Sequence, residues 1–93
     1  MNPEHLYFAC SKEDSDEYLK HGLYPGDRNM VHLSSTRLNA LEAGRHIIGK
    51  PIVLLVDVKA AEEAGNEIMK AGTTVYLTKE ISGKHLKQLP DST

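Results

Sequence analysis

The chain has 93 residues, of which 40% are hydrophobic and 26% charged, a composition typical of one small globular domain. Eleven basic and 13 acidic residues give a formal net charge of −2, so the chain lacks the basic excess of nucleic-acid or membrane binders. The single cysteine excludes an internal disulfide and a cysteine-based zinc site, and the five histidines show no zinc-pair spacing. The longest apolar run, residues 52–56, is far shorter than a membrane helix, and no signal peptide is recognisable at the N-terminus. These features predict a cytoplasmic protein without a metal site or membrane contact.

The first two elements are predicted by strong local signals. Residues 5–10 are apolar and rich in aromatics, which favours a strand. Ser11 is a suitable N-cap for a helix with an acidic first turn and with Lys20 and His21 in its last turn. Gly22 follows, where a glycine most readily ends a helix.

The remaining elements alternate between short strands and short helices. In chain order they are a strand at residues 30–34, a helix capped by Ser35 or Thr36 and ending at Ala43, a strand at 51–58, a helix at 59–64, strands at 67–70 and 74–78, and a helical turn at 85–89. The 51–58 segment is continuously apolar, as expected of a strand buried on both faces. Short strands and the absence of glycine-rich phosphate-binding fingerprints favour a compact α+β fold over a doubly wound parallel sheet.

The strand at residues 30–34 places His32 and Ser34 on one face, because alternate side chains of a strand point the same way. Two interpretations remain open for this polar pair. His32 is either a histidine at the edge of the core that is hydrogen-bonded to the backbone, or it contacts a ligand together with Ser34, since site residues often lie where strands end.

Two arginines lie near the predicted ends of elements, Arg28 before the second strand and Arg45 after the second helix. An exposed salt bridge is the ordinary explanation for each, while a guanidinium is also the preferred bidentate partner of a phosphate.

Cys10 is interpreted as a buried apolar residue rather than a nucleophile, because no cationic neighbour is visible that would lower its pKa. Asp57 is expected to cap the helix that follows it.

Five short segments, in order along nearly the whole chain, carry a family resemblance. They are LYFACS at 6–11, HGL at 21–23, RNMVHLS at 28–34, AGRH at 43–46 with GKPIVL at 49–54, and TVYLT at 74–78. Together they resemble the C-terminal, ADP-ribosyltransferase-like lobe of the RNA 2'-phosphotransferase family, the KptA-type tRNA repair enzymes.

The resemblance implies a single ADP-ribosyltransferase-like domain over residues 1–93, without the family's winged-helix lobe. The implied fold is a compact, split, mixed β-sheet with short helices that holds NAD in a cleft between its halves. The implied reaction is an attack by an RNA 2'-phosphate on the nicotinamide ribose of NAD, which displaces nicotinamide. A transesterification then releases ADP-ribose 1'',2''-cyclic phosphate. NAD or ADP-ribose and 2'-phosphorylated RNA are therefore the expected partners.

The resemblance also implies roles for individual residues. His32 and Ser34 match positions that contact the nicotinamide-side ribose. Arg45 matches the lobe's phosphate-handling arginine, and Arg28 matches an arginine beside the same cleft. Val75 matches the position at which other ADP-ribosyltransferases have a catalytic glutamate, so it is expected beside the cofactor.

The chain departs from the family pattern in the first strand. Phe8 replaces the histidine that hydrogen-bonds the NAD ribose, and Ala9 and Cys10 replace a glycine and a threonine at the cofactor. Phe8 is suited instead to stacking on nicotinamide or adenine. Two alternatives follow: a catalytically degenerate module that binds NAD, ADP-ribose or phosphate and acts through a partner, or one half of an enzyme whose RNA-binding lobe is a separate polypeptide.

Overall fold

The computed structural model describes residues 2–25, 29–45 and 50–89. In these ranges the protein is α+β, with one six-stranded sheet and short helices. The strands are β1 (His5–Cys10), β2 (Val31–Ser34), β3 (Ile52–Asp57), β4 (Ile68–Lys70), β5 (Val75–Thr78) and β6 (Leu86–Gln88). The helices are α1 (Lys12–His21), α2 (Arg37–Ala43) and α3 (Val58–Glu63), and a 3-10 turn covers Gly83–His85.

The elements before residue 80 match the predicted ones to within one residue at either end, and the predicted caps are present. Ser11 Oγ accepts from the Asp14 N–H at 3.1 Å, and Gly22 ends α1 at φ 94°. Thr36, rather than Ser35, caps α2 by accepting from the Asn39 N–H at 3.0 Å. Asp57 caps α3, as expected, by accepting from the Ala60 N–H at 3.1 Å.

The helical turn predicted at residues 85–89 is wrong. The chain instead makes the 3-10 turn over Gly83–His85 and then adds β6 to the edge of β3, where Leu86 pairs with Val56. Leu86 is buried in this position. The partner strand lies some thirty residues earlier in the chain, so the local sequence gives no sign of this pairing.

The strand order is β4-β5-β2-β1-β3-β6, and every strand pair in the described residues is antiparallel. The expectation of a mixed sheet is therefore wrong. Strands β2 and β3 flank β1 and both run opposite to it, so the alternating helices connect strands without creating an adjacent parallel pair.

The main core lies on the face of the sheet that carries Leu6, Leu33 and Leu54, all of which are buried. Side chains of α1 and α3 pack against these residues. Ile52, Val53 and Leu54 are buried consecutively, which agrees with a strand covered on both faces. In the ranges described, no helix is both long and apolar enough to span a membrane.

The sheet is divided near its middle. Strand β1 pairs with β3 at six positions and β2 pairs with β5 at four, whereas the described part of the chain shows a single β1–β2 pair, Tyr7 with Ser34. Two well-paired halves, β4-β5-β2 and β1-β3-β6, therefore meet at one point. Beyond that pair the two central strands separate.

Candidate functional site

A cavity of about 320 Å³ lies where β1 and β2 separate. On β1 it is lined by four consecutive residues, 7–10, although successive side chains of a strand point to opposite faces of the sheet. The cavity therefore reaches both faces through the gap between the strands. This gap exists because Tyr7 and Ser34 are the last register partners before the two strands diverge.

Strand β2 contributes His32 and Ser34 to the cavity lining. Val31 and Leu33 are buried in the core, whereas His32 is exposed and Ser34 is half-buried, so the predicted alternation is confirmed. The His32 side chain makes no hydrogen bond to the other described residues. The exposed His32 is therefore not a histidine at the edge of the core that is hydrogen-bonded to the backbone of the described residues, and its contact with a ligand stays a prediction.

Three aromatic residues form one side of the cavity, and we call them the aromatic wall: Phe8, Tyr18 and Tyr24. Phe8 and Tyr18 meet edge to face with ring centroids 5.8 Å apart, and Tyr18 meets Tyr24 in the same way at 5.5 Å. Edge-to-face contact is the favoured geometry for such rings. Tyr24 is 45% exposed, so the outer end of the wall is accessible to a ligand.

Helix α1 brings Asp14 to the same side of the cavity, next to Cys10. Burial, with a smaller effect from the Asp14 carboxylate, raises the pKa of Cys10 from its ordinary 9.0 to about 12. Cys10 is 4% exposed. It is therefore a neutral thiol at physiological pH, in agreement with the interpretation as an apolar residue rather than a nucleophile.

Helix α2 contributes small residues, Ala40, Ala43 and Gly44, to the lining. Arg45 directly follows Gly44; it is exposed, and its backbone N–H donates to the Glu42 carbonyl at 3.4 Å. The Arg45 side chain is next to the cavity in sequence but is not part of its lining.

The remaining predicted site residues are Arg28 and Val75. Arg28 lies outside the described residues. Val75 is half-buried on β5, where it pairs with Ser34. It therefore lies one strand away from the cavity, and Tyr7, Ser34 and Val75 are register neighbours across β1, β2 and β5.

Sequence reasoning missed the contributions of α1 and of the segment after it. Asp14 and Tyr18 are four residues apart and therefore share a helix face, a signal that was available. The sequence around Tyr24 contains no comparable signal. The position of Tyr24 depends on the direction that the chain takes after α1 ends at Gly22. Among the described lining residues, Asp14 is the single carboxylate, and no lysine or arginine is present.

Comparison with known proteins identifies relatives of this chain. The model of the RNA 2'-phosphotransferase, Tpt1 / KptA family matches residues 1–80. A probable RNA 2'-phosphotransferase of Thermoplasma acidophilum is 29% identical over 85 residues, which cover 91% of this chain and 36% of the relative. Proteins with the same description from Archaeoglobus fulgidus (number 1 of that organism) and Pseudomonas paraeruginosa are 36% and 35% identical over 83 and 86 residues. These matches cover 89% and 92% of this chain, and 38% and 47% of the relatives. The chain thus spans between about a third and a half of the length of these curated relatives.

Proposed function

The chain belongs to the RNA 2'-phosphotransferase, Tpt1 / KptA family, and on that premise we propose that it is an NAD-dependent transferase acting on the 2'-phosphate of RNA. Residues 1–93 are then one domain of the ADP-ribosyltransferase type. The observation that carries the proposal is the cavity between β1 and β2, which gathers four of the residues that the resemblance assigns to the cofactor: Phe8, Cys10, His32 and Ser34.

The size and polar groups of the cavity suit part of an NAD molecule. Its volume of about 320 Å³ is at the lower end of the range for small-molecule sites, which is roughly 300–1,000 Å³. It therefore suits one nucleoside portion rather than the whole dinucleotide. The Ser34 hydroxyl and the His32 imidazole can each donate and accept hydrogen bonds, which matches the hydroxyls of a ribose.

Bound NAD supplies the ribosyl carbon at which the bond to nicotinamide breaks. His32 and Ser34 hold the ribose in a fixed orientation, which favours reaction by removing rotational freedom. Arg45, at the C-terminal end of α2 next to the cavity, neutralises the acceptor phosphate; a guanidinium stays charged and binds phosphate in a bidentate manner. Arg28 is the second phosphate-binding residue in this proposal.

Val75 fits a reaction of this kind because a phosphate monoester is already anionic. The acceptor oxygen therefore needs no general base to activate it. The apolar Val75, beside Ser34, is sufficient for a phosphate acceptor, whereas a hydroxyl acceptor requires a carboxylate at this position. The task of the site is then to bring two anionic groups together and to stabilise charge as the glycosidic bond opens.

A second candidate is a binding module without turnover, and Phe8 favours it. Its phenyl ring lines the cavity where the resemblance places a ribose-binding histidine, and it neither donates nor accepts a hydrogen bond. Such a module binds NAD, ADP-ribose or phosphate and acts through a partner, for which a separate RNA-binding polypeptide is the candidate.

Nicotinamide release separates the two candidates. The purified chain is incubated with NAD and a 2'-phosphorylated oligonucleotide, and the Arg45→Ala variant is compared with Lys59→Ala, which removes the same charge from the exposed side of α3. A transferase releases nicotinamide only with the phosphorylated oligonucleotide, and Arg45→Ala lowers the rate by about a hundredfold or more, the scale of a lost transition-state contact. Lys59→Ala keeps the wild-type rate.

Calorimetric titration with NAD and ADP-ribose completes the test. If the wild type binds NAD or ADP-ribose but releases no nicotinamide, the chain is the binding module of the second candidate. Absence of nicotinamide release, together with absence of binding to NAD and ADP-ribose, contradicts the transferase and the NAD- or ADP-ribose-binding module. Full activity of Arg45→Ala removes Arg45 from the site.

A further inference from the structure

Four register partners form a row across the centre of the sheet, on the face opposite the main core. Ser34 pairs with Tyr7, Tyr7 pairs with Leu55, and Leu55 pairs with Lys87, so the row crosses β2, β1, β3 and β6. We call these four residues the outer row. Directly opposed residues of antiparallel strands point to the same face of a sheet, so the four side chains lie side by side.

The outer row is accessible to solvent, whereas its neighbours along the strands are not. Leu6, Leu54 and Leu86 are buried in the main core on the other face of the sheet. In the outer row itself, the first three residues are half-buried and Lys87 is exposed. Strand alternation therefore places an apolar and partly exposed surface at the middle of the sheet.

Helix α2 shields the adjacent row of the same face. Ala40 of α2 and Val53 of β3 are both buried, yet neither belongs to the main core, and α2 contacts β3. Val53 lies two residues from Leu55, on the same face of β3, and pairs with Ala9 of β1. The described structure thus buries one row of this face beside α2 and leaves the outer row partly exposed.

The outer row begins at the cavity, because Ser34 and Tyr7 both line it. The cavity volume of about 320 Å³ suits one nucleoside portion, which in the proposed function belongs to NAD. The RNA acceptor therefore approaches from outside the cavity, and the nucleotides that flank its 2'-phosphate need a surface that adjoins the cavity. The outer row is a surface in that place.

The side chains of the outer row suit the parts of a nucleotide. The Tyr7 ring and the Leu55 side chain offer an apolar surface to a base, and the Lys87 ammonium group offers a cation to a phosphate. Neighbouring strands lie about 4.8 Å apart, so Tyr7 and Lys87 are separated by about 10 Å, which accommodates a base and the phosphate attached to it. Bases of single-stranded RNA commonly stack on aromatic side chains of a sheet in this manner.

We propose that the outer row binds a nucleotide flanking the 2'-phosphate of a single-stranded RNA, with its base on Tyr7 and Leu55 and its phosphate at Lys87. This inference rests on the proposed function and goes beyond it by naming the surface that holds the acceptor strand. It also defines the acceptor, because a base must be unpaired and unstacked to lie on a tyrosine ring. Stacking supplies affinity without a basic surface, which is compatible with the formal net charge of −2.

Calorimetric titration with two RNA ligands tests the contact with the base. One ligand is adenosine 2'-monophosphate, and the other is a single-stranded hexanucleotide with a 2'-phosphate on its third residue. We expect the hexanucleotide to bind at least about fivefold more tightly, the lower limit for one stacked base. Tyr7→Leu removes this gain, and Tyr7→Phe, which keeps the ring, retains it. The ratio of the two affinities within each variant cancels any effect of Tyr7 on the cavity.

An altered ligand makes the same test on the wild-type protein, so the result does not depend on the folding of Tyr7→Leu. A hexanucleotide with abasic residues on both sides of the phosphorylated one is expected to lose the gain in affinity. In Tyr7→Leu, which melting temperature shows to be folded or not, the abasic residues should cause no further loss.

The phosphate contact is tested by the salt dependence of hexanucleotide binding. Lys87→Gln should lower the slope of log affinity against log salt concentration by about 0.7, the value for one phosphate contact of a single strand. Lys59→Gln is the matched control, because it removes the same charge from α3, which packs on the opposite face of the sheet. It should leave the slope unchanged.

Nicotinamide release separates failure of this inference from failure of the proposed function. If the hexanucleotide binds no more tightly than adenosine 2'-monophosphate, or if Tyr7→Leu or the abasic residues leave the gain intact, the inference is overturned. An unchanged salt slope in Lys87→Gln overturns it as well. In each of these cases, continued nicotinamide release leaves the proposed function standing. A gain that Tyr7→Leu removes, in a chain that neither binds NAD nor releases nicotinamide, supports the RNA surface and contradicts the proposed function alone.

Discussion

Tyr7 and Ser34 are register partners at the one point where, in the described part of the chain, β1 and β2 are paired. On either side of this contact the sheet is extensively hydrogen-bonded, through β3 and β6 in one half and through β5 and β4 in the other. The cavity opens because the pairing stops there. The same contact therefore joins the two halves of the sheet and defines the inner end of the candidate site.

Hydrogen exchange is expected to detect this separation directly. Along an antiparallel strand, backbone amides point alternately to the two neighbours. In β2 four residues pair with β5, whereas on the β1 side the single pair is Tyr7 with Ser34, which leaves the His32 amide facing the gap. We expect the His32 amide to exchange at least about tenfold faster than the amides that face β5. Uniform protection along β2, measured by NMR, would contradict a gap between β1 and β2.

Gly22 ends α1 under a steric constraint that substitution should expose. Its φ is 94°, and a Cβ at this position would lie 2.8 Å from the Ile81 carbonyl oxygen. Gly65 is the matched control, because its φ is 100° and a Cβ there would meet nothing within 4 Å. Gly65→Ala should cost about 1 kcal/mol from the backbone conformation alone, and Gly22→Ala at least about 2 kcal/mol. Urea denaturation measures the free energy of unfolding of both variants. Equal losses of stability would show that the Ile81 carbonyl moves away from the added Cβ at no cost in free energy.

Cys10 should make stability fall at alkaline pH. Its folded pKa is raised from 9.0 to about 12, so between these values the folded state holds a proton that the unfolded state has released. Stability is therefore complete below pH 9 and declines as the pH rises toward 12. From pH 8 to pH 10.5 the wild type should lose ~2 kcal/mol more than Cys10→Ala, measured by urea denaturation. An equal decline in both proteins would show that the thiol is not shielded.

The same shift predicts slow alkylation. At pH 8 the folded protein should react with iodoacetamide about a thousandfold more slowly than the urea-unfolded chain, because its thiolate fraction is lower by that factor. Mass spectrometry of the modified chain gives both rates.

Asp57 is expected to matter for stability and not for catalysis. Its carboxylate accepts from the Ala60 N–H at 3.1 Å and begins α3. Asp57→Ala should cost about 1 kcal/mol, whereas Asp57→Asn keeps the cap and should cost only a few tenths. Neither variant should change the rate of nicotinamide release. A lower rate in a fully folded Asp57→Asn variant would give Asp57 a role in the reaction.

Phe8 allows a gain of binding to be tested. Phe8→His introduces a hydrogen-bonding group into the cavity lining and should raise the affinity for ADP-ribose about three- to tenfold, the value of one hydrogen bond. Phe8→Leu is the control and should give no gain. Both variants should be less stable by ~1 kcal/mol, since the contact with Tyr18 is lost.

The sequence was most informative where the determining contacts are local. Ser11 and Thr36 cap helices through bonds to residues three positions later, and His32 and Ser34 share a face through strand alternation, so these features were readable in short windows. The antiparallel arrangement and β6 depend on pairings between distant segments. Tyr24 reaches the cavity through the packing of the segment after α1. This packing also depends on contacts between distant segments, so a short window of sequence does not predict it.

The position of β1 has a consequence for biosynthesis. It precedes the other described strands in the chain, yet it lies inside the sheet, between two strands made later. Its edges stay open until residue 57 has emerged, and the outer edge of β3 is covered only when Gln88 has followed. This sheet is therefore completed only after Gln88 has emerged, and nascent chains stalled earlier should need chaperones to prevent aggregation through exposed strands.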